Sequence, residues 1–215
     1  MTAQAGSASS LSDTSLKAER SALRQQLRQQ RRSISRQTQQ VAARQLAIQF
    51  DRCYLLKPQL RIAVYLAMPD ELDLHAFIAR AMARHCHLYV PHILNKVQRQ
   101  MRFVPLLRNS RLSRHSWGMQ QLQHAPRKVI GLRQLDMVLV PTVGFDIHGN
   151  RLGMGAGFYD RHLACLRHSR WQRPRLIGVA YASQQVERIP ALPHDITLPR
   201  VMTEQGLIHC HQQST

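Results

Sequence analysis

Five of the ten glycines in this 215-residue chain fall between Gly144 and Gly157. The stretch reads Pro141-Thr-Val-Gly-Phe-Asp-Ile-His-Gly-Asn-Arg-Leu-Gly-Met-Gly-Ala-Gly-Phe-Tyr-Asp160. Gly153, Gly155 and Gly157 alternate, which lets the backbone take positive φ and come close to a ligand. Successive amides in such a loop point at anions, and a helix start behind it adds a favourable dipole. Arg151 stands just ahead, with a guanidinium that can fork onto phosphate oxygens. Phosphate binding is the chemistry these residue types suggest. No Gly-Lys-Ser/Thr follows, and GxGxG is not the dinucleotide spacing, so neither common nucleotide motif is present. On residue types alone, a plain tight turn remains open.

A second candidate lies near the N-terminus. Arg20, Arg24, Arg28 and Arg32 recur every four residues and form one cationic stripe on a helix; a solvated face is the alternative. Lys and Arg number 30 against 12 acids, a formal net charge of +18. Such a chain is drawn to nucleic acid, nucleotide phosphates or a polyglutamate tail. None of the common nucleic-acid motifs appears. Cys53, Cys86, Cys165 and Cys210 lie far apart without a CxxC pair, which argues against a zinc site or a disulfide framework and fits a reducing cytosol. No Ser or Cys sits in a nucleophile motif. The twelve His show no metal spacing, and His85 with His87 reads as surface. The longest apolar run, Met137 to Phe145, is too short for a bilayer, and no signal-peptide core follows the start. A soluble cytoplasmic protein, outside the membrane, is expected.

The elements that must position these residues show in the periodicity. Residues 1–15, rich in Ser, Ala and Thr, read as a disordered tail. A helix is expected from Leu16 to Ser35, with Leu16, Leu23, Leu27 and Ile34 on one face, and a second from Arg36 to Leu55. Strands are expected at Arg61–Met68, Leu88–Ile93, Met101–Leu106, Met137–Val140, Leu176–Tyr181 and Arg200–Met202. Helices are expected at Leu72–Cys86 and Phe158–Arg167. Near-continuous apolar strands alternating with helices predict an α/β three-layer sandwich, Rossmann-like, with a mainly parallel or mixed central sheet and N-terminal helices. The expected division is one domain over 16–206, with a tail over 207–215. In such sheets ligands gather at the carboxyl ends of the strands.

The run Gly149-Asn-Arg-Leu-Gly-Met-Gly-Ala-Gly-Phe-Tyr-Asp160 resembles the hallmark of the 5-formyltetrahydrofolate cyclo-ligases, G-N/Q-R-L-G-x-G-x-G-Y/F-Y-D, preceded by a proline and an aromatic-Asp pair like Pro141 and Phe145-Asp146. The resemblance covers residues 16–204. It includes Leu23-Arg24, Tyr65-Leu66, Asp70-Glu71-Leu72-Asp73, Trp117-Gly118-Met119, and Gln185-Val186 with Pro190, Asp195 and Leu198. Met154 stands where the family usually has Arg or Lys, Arg20 where Lys is common and His75 where Thr is common. The Glu-Pro expected after Gly118 is missing.

The resemblance implies ATP- and Mg²⁺-dependent closure of 5-formyltetrahydrofolate to 5,10-methenyltetrahydrofolate by a monomer, with small-molecule substrates and no specific nucleic acid. It implies Arg151 and Tyr159 as catalytic groups. It assigns ATP to Arg20, Arg24, Asn150, Arg151, Leu152, Gly153, Met154, Gly155, Ala156, Gly157, Phe158 and Tyr159. The folate falls to Leu66, Glu71, Trp117, Phe158 and Tyr159, and Mg²⁺ to Asp160 and Asp195. By residue type alone, Asp160 also reads as a first-turn helix carboxylate, Asp195 as a loop cap, Glu71 as an exposed acid, and Leu66 and Phe158 as core. Two other classes stay open: a nucleic-acid-binding protein, and another phosphate-handling enzyme on a similar scaffold, such as a sugar-phosphate isomerase.

Overall fold

The computed structural model describes residues 5–95, 100–114, 120–123, 129–166 and 173–211. Two helices lead, α1 (Ala5–Arg32) and α2 (Arg36–Arg52). Then come β1 (Arg61–Ala63), α3 (His75–Ala83), β2 (His87–Asn95), β3 (Gln100–Leu106), β4 (Leu112–Arg114) and β5 (Gln120–Leu122). The rest is β6 (Met137–Pro141), β7 (Gly144–Phe145), β8 (Arg151–Leu152), α4 (Phe158–Leu163), β9 (Arg175–Val179), β10 (Arg200–Met202) and β11 (Leu207–His209).

Seven strands form one sheet in the order β11-β10-β9-β6-β1-β2-β3. The inner five are parallel, and β3 and β11 close the edges antiparallel. Period-2 alternation explains why the central strands read as unbroken apolar runs. In β6, Met137 and Leu139 join the core facing α2 and α3, with Leu46, Phe50 and Phe77; Val138 and Val140 join the opposite core, with Phe103, Leu163 and Leu198. Three layers result, with α4 and its flanking loops on the second face. A third, small cluster of Leu27, Val143, Leu152 and Ile189 ties α1 to the β7–β8 hairpin. Among the described residues no helix is long and apolar enough to cross a membrane.

The chain passes from β1 sideways to β2, then returns to place β6 on the other side of β1. The point where strand order reverses is thus the β1/β6 boundary, and the segments leaving these two strands at their carboxyl ends frame a crevice.

Several element limits differ from expectation. The strand expected over Arg61–Met68 stops at Ala63, although Val64 N still donates to Tyr89 O at 2.8 Å. Beyond that the apolar run leaves the sheet and is tied locally, by the Tyr65 hydroxyl donating to Leu72 O at 2.6 Å and by Glu71 N donating to Met68 O at 2.9 Å. The helix expected over Leu72–Cys86 starts at His75, whose N–H donates to the Asp73 carboxylate at 2.9 Å. The helix expected to reach Arg167 is α4 followed by a 3₁₀ turn at Ala164–Leu166; Arg167 lies outside the described residues. Residues 5–15, expected as a disordered tail, continue α1 toward the N-terminus, since no proline interrupts them. Leu207–His209, expected within a C-terminal tail, pairs with β10 because Gly206, at φ 152, turns the chain back.

Candidate active site

A cleft of about 1020 Å³ opens at the β1/β6 boundary. One wall is α1, with Arg20 and Arg24. A second is the loop Gly153–Gly157 with the start of α4. A third is the Tyr65–Glu71 segment, and β2–β3 closes the back with Pro91, Ile93 and Met101. A second cavity of about 740 Å³ adjoins it, sharing Tyr65, Leu66, Met68, Glu71 and Gln120.

The glycine-rich segment reaches the cleft through a hairpin. β7 pairs with β8, Gly144 opposite Leu152 and Phe145 opposite Arg151. Its turn is held by Asp146, which is 0% exposed. Asp146 Oδ1 accepts from His148 N at 2.9 Å and Asn150 N at 3.0 Å; Oδ2 accepts from Asn150 Nδ2 and Ile189 N, both at 2.9 Å. This network sets where Arg151 emerges. Past it, Gly155 and Gly157 take positive φ, 95° and 67°, as expected; Gly153 does not. At Gly153 the constraint is space, because an added Cβ would lie 3.3 Å from Arg151 Nη1.

Cations crowd this side, and carboxylates accompany them. Arg20 is buried; it donates to Asp195 through Nη1 at 2.7 Å and Nη2 at 3.1 Å, and also to Pro190 O. Arg24 Nε donates to Gly153 O at 2.9 Å, which anchors the glycine loop to α1. Arg151, 4% exposed, donates to Asp160 through Nη2, while its Nε is buried without a partner. Burial, then the neighbouring Arg20 and Arg28, hold the Arg24 guanidinium below its ordinary pKa. An anion entering here relieves that repulsion.

The opposite side is acidic and aromatic. Glu71 is buried, which excludes the exposed-acid reading. Its Oε2 accepts from Met68 N at 3.0 Å. Burial pushes its carboxyl above the usual range, and the Met68 N–H and Arg31 pull it back. Burial also raises the hydroxyls of Tyr65 and Tyr159, so both remain proton donors.

The structure brings together Arg20, Arg24, Leu66, Glu71, Arg151, Gly153, Met154, Gly155, Ala156, Gly157, Phe158, Tyr159, Asp160 and Asp195 along one cleft. It does not bring Asn150 or Leu152 there. Asn150 holds Asp146 instead, and Leu152 is buried in the cluster around Leu27. Trp117 lies outside the described residues. Asp195 does cap its loop, accepting from Leu192 N at 2.9 Å, and it also holds Arg20.

The stripe Arg20, Arg24, Arg28, Arg32 splits. At 3.6 residues per turn each i+4 step drifts about 40°, so Arg32 stands roughly 120° from Arg20, whereas Arg31 is only about 20° away. Arg32 is accordingly exposed and Arg31 buried. Sequence reading missed Arg31, Met68 and His194 at or beside the cleft; an eleven-residue, three-turn spacing from Arg20 was the signal for the first.

A model of the 5-formyltetrahydrofolate cyclo-ligase family matches residues 16–204. The 5-formyltetrahydrofolate cyclo-ligase of Escherichia coli (strain K12) is 31% identical over 177 residues, 82% of this chain and 96% of that protein. The NMR structure of Aquifex aeolicus 5,10-methenyltetrahydrofolate synthetase aligns with a TM-score of 0.71 at 20% identity, covering 91% of this chain and 95% of that one. The 5,10-methenyltetrahydrofolate synthetase of Mycoplasma pneumoniae gives 0.66 at 24% identity, covering 86% and 98%. Both likenesses concern the fold.

Proposed function

The chain belongs to the 5-formyltetrahydrofolate cyclo-ligase family, and from that premise we propose that it uses ATP to close 5-formyltetrahydrofolate into 5,10-methenyltetrahydrofolate in this cleft. The observation that carries the reading is a single cleft where Arg151, buried with an unpaired Nε, stands beside the open backbone of Gly153–Gly157 and across from the buried acid Glu71.

The formyl oxygen attacks the γ-phosphorus, an O–P bond forms, and ADP leaves. N10 then adds to the activated carbon, loses its proton, and phosphate departs with the former formyl oxygen. Phosphoryl transfer rests mainly on positioning and charge stabilisation. The chain supplies both. Loop amides and Arg151 hold the phosphates, and Arg24, by holding Gly153 O, keeps the loop in place. Arg20, oriented by Asp195, adds a second cation. Tyr159, kept protonated by burial, donates a hydrogen bond into the site. Leu66 and Phe158 wall the pterin ring, and Glu71 accepts from its adjacent N–H groups, a charge-assisted pairing.

Among the described residues no group of three or more His, Cys, Asp or Glu could hold a metal by itself. Asp160 and Asp195 line the same cleft and would be the protein oxygens for Mg²⁺, which keeps most of its ligands from phosphates and water and takes one or two carboxylates. When bound, it neutralises phosphate charge.

The test is the absorbance of methenyltetrahydrofolate, followed with 5-formyltetrahydrofolate in the presence and absence of ATP and Mg²⁺. Product that requires both supports the reading. Product without ATP, or none under any condition from folded protein, overturns it.

A further inference from the structure

Arg31, on the last turn of α1, is the most buried arginine among the described residues, at 1% exposure. Its Nε and Nη2 donate to Asp70 Oδ2 at 3.1 and 2.8 Å, and its Nη1 lies 4.0 Å from Glu71 Oε1. The same Nη2 lies 3.8 Å from Met154 Sδ. One guanidinium therefore touches both the turn that carries Glu71 and the glycine loop. Burying a cation this deeply is unfavourable unless it is paired, and Asp70 provides the pair.

We propose that Arg31 is a positioning residue for the folate side of the site: it fixes the Asp70–Glu71 turn and sets a positive charge beside Glu71 where that side chain lines the cleft. The proposal rests on the reading that Glu71 meets the folate. The groups around Glu71 allow its sign to be worked out. From α1 comes Arg31. The turn itself contributes Asp70 and the Met68 N–H, with Asp73 following. Tyr65 comes from the segment after β1 and Tyr159 from α4. Tyr181 comes from the segment after β9, its hydroxyl 3.5 Å from Glu71 O. Burial raises all three tyrosines, that of Tyr181 to about 12, so none carries charge at neutral pH. Burial and Asp70 favour the neutral acid at Glu71; the Met68 N–H and Arg31 favour the carboxylate. Removing Arg31's charge must therefore move the ionisation of Glu71 upward, and removing Asp70's must move it downward.

The experiment is the pH profile of kcat/KM for 5-formyltetrahydrofolate at saturating ATP, in Arg31→Met, Arg31→Lys, Asp70→Asn, Glu71→Gln and Arg31→Met/Glu71→Gln. In Arg31→Met the acid limb should move toward neutral pH, so that on the acid side of the limb the loss exceeds that near pH 8.5, by roughly tenfold for a one-unit displacement. Arg31→Lys should retain most of the wild-type limb, and Asp70→Asn should move it the opposite way. The Arg31→Met change should produce no displacement in the Glu71→Gln background. A uniform loss at every pH, or a limb that moves the same way in Arg31→Met and Asp70→Asn, overturns the proposal. If Arg31→Met does not fold, Arg31→Gln takes its place, with the same displacement expected and the same result overturning the proposal. A Glu71→Gln enzyme with unchanged folate kinetics would sink the assignment of Glu71 itself, which is a different result from an acid limb that depends on Glu71 and ignores Arg31.

Discussion

In the hairpin Gly144–Leu152, a Cβ on Gly144 would run into Leu27 Cδ1, and one on Gly149 into Leu198 O. In the adjoining loop, the nearest atoms to a Cβ on Gly155 belong to Arg24, at 3.9 and 4.0 Å. The two halves of one glycine-rich run thus answer to different requirements. The first is closed against the core by Leu27, Leu198 and the four donors around Asp146; the second is open, and its conformation leaves room for a ligand. Arg151 is the seam, buried on the hairpin's ladder and lining the cleft with its side chain. A substitution on one side of it should act on folding, and one on the other side on binding.

The largest expected effect tests that division. Gly149→Ala places a side chain at φ 82° against backbone that cannot retreat; the loss should be about 4 kcal/mol or more, in the range reserved for broken cores. Urea denaturation of Gly149→Ala and Gly155→Ala would measure it. Gly155→Ala carries only the strain of its positive φ, about 1–3 kcal/mol, and should remain folded while losing ATP affinity. Equal stabilities for the two variants would erase the distinction between the halves.

Next comes the seam. Arg151→Lys keeps the charge but cannot reproduce the fork that serves Asp160 and a ligand together. Turnover should fall by about 10²–10³-fold, the usual cost of one stabilising donor. Folate binding measured by calorimetry without nucleotide should stay nearly intact. Equal loss of both ligands from a folded variant would mean that Arg151 belongs to the hairpin's structure alone.

The opposite wall sharpens the contrast from a third direction. Glu71→Gln should raise the Michaelis constant for 5-formyltetrahydrofolate at least about tenfold, as expected for losing a charge-assisted pair of roughly 1.5–3 kcal/mol. That for ATP should move only a few-fold. The two constants rising together would merge the folate and nucleotide sides into one.

What the residues disclosed beforehand follows the same boundary. The parallel core was legible because Met137–Val140 is apolar on both faces, as only a doubly covered strand must be. Arg61–Met68 misled for a related reason: its second half is apolar because it lines the cleft and the core next to it, and side-chain chemistry does not reveal which carbonyls leave the ladder. The β7–β8 hairpin was invisible, since two residues per strand carry no period. Asn150 and Leu152 belong to the same written motif as Arg151, yet alternation on β8 and the Asp146 network turn them away from the cleft. Glu71 and the glycine loop are distant in the chain, and only the reversal of strand order between β1 and β6 brings them to one crevice.

The smallest effect concerns the carboxylates on the arginine side. Asp160 and Asp195 are far apart in sequence and line the same cleft, each accepting from an arginine. If both are oxygens for Mg²⁺, Asp160→Asn and Asp195→Asn should each raise the magnesium concentration for half-maximal rate by roughly three- to tenfold, about 1 kcal/mol. Groups acting as a unit are non-additive, so the double variant should lose less than the product of the two. Each carboxylate also holds an arginine, Asp160 holding Arg151 and Asp195 holding Arg20, and Asp195 in addition caps its own loop at Leu192. Saturating magnesium should therefore restore each variant only in part, because Asp160→Asn still loosens Arg151 and Asp195→Asn still loosens Arg20. Introducing Asp195→Asn into an Arg20→Met background removes the part of its effect that runs through Arg20, and the magnesium dependence that remains belongs to the metal. A magnesium titration at fixed ATP in these variants decides the matter. If Asp195→Asn matches the wild type at every magnesium level while ATP binding weakens, Asp195 serves Arg20 alone and Asp160 is the one protein ligand. If neither variant moves the titration, both carboxylates hold arginines in place, and the metal is left to phosphate and water.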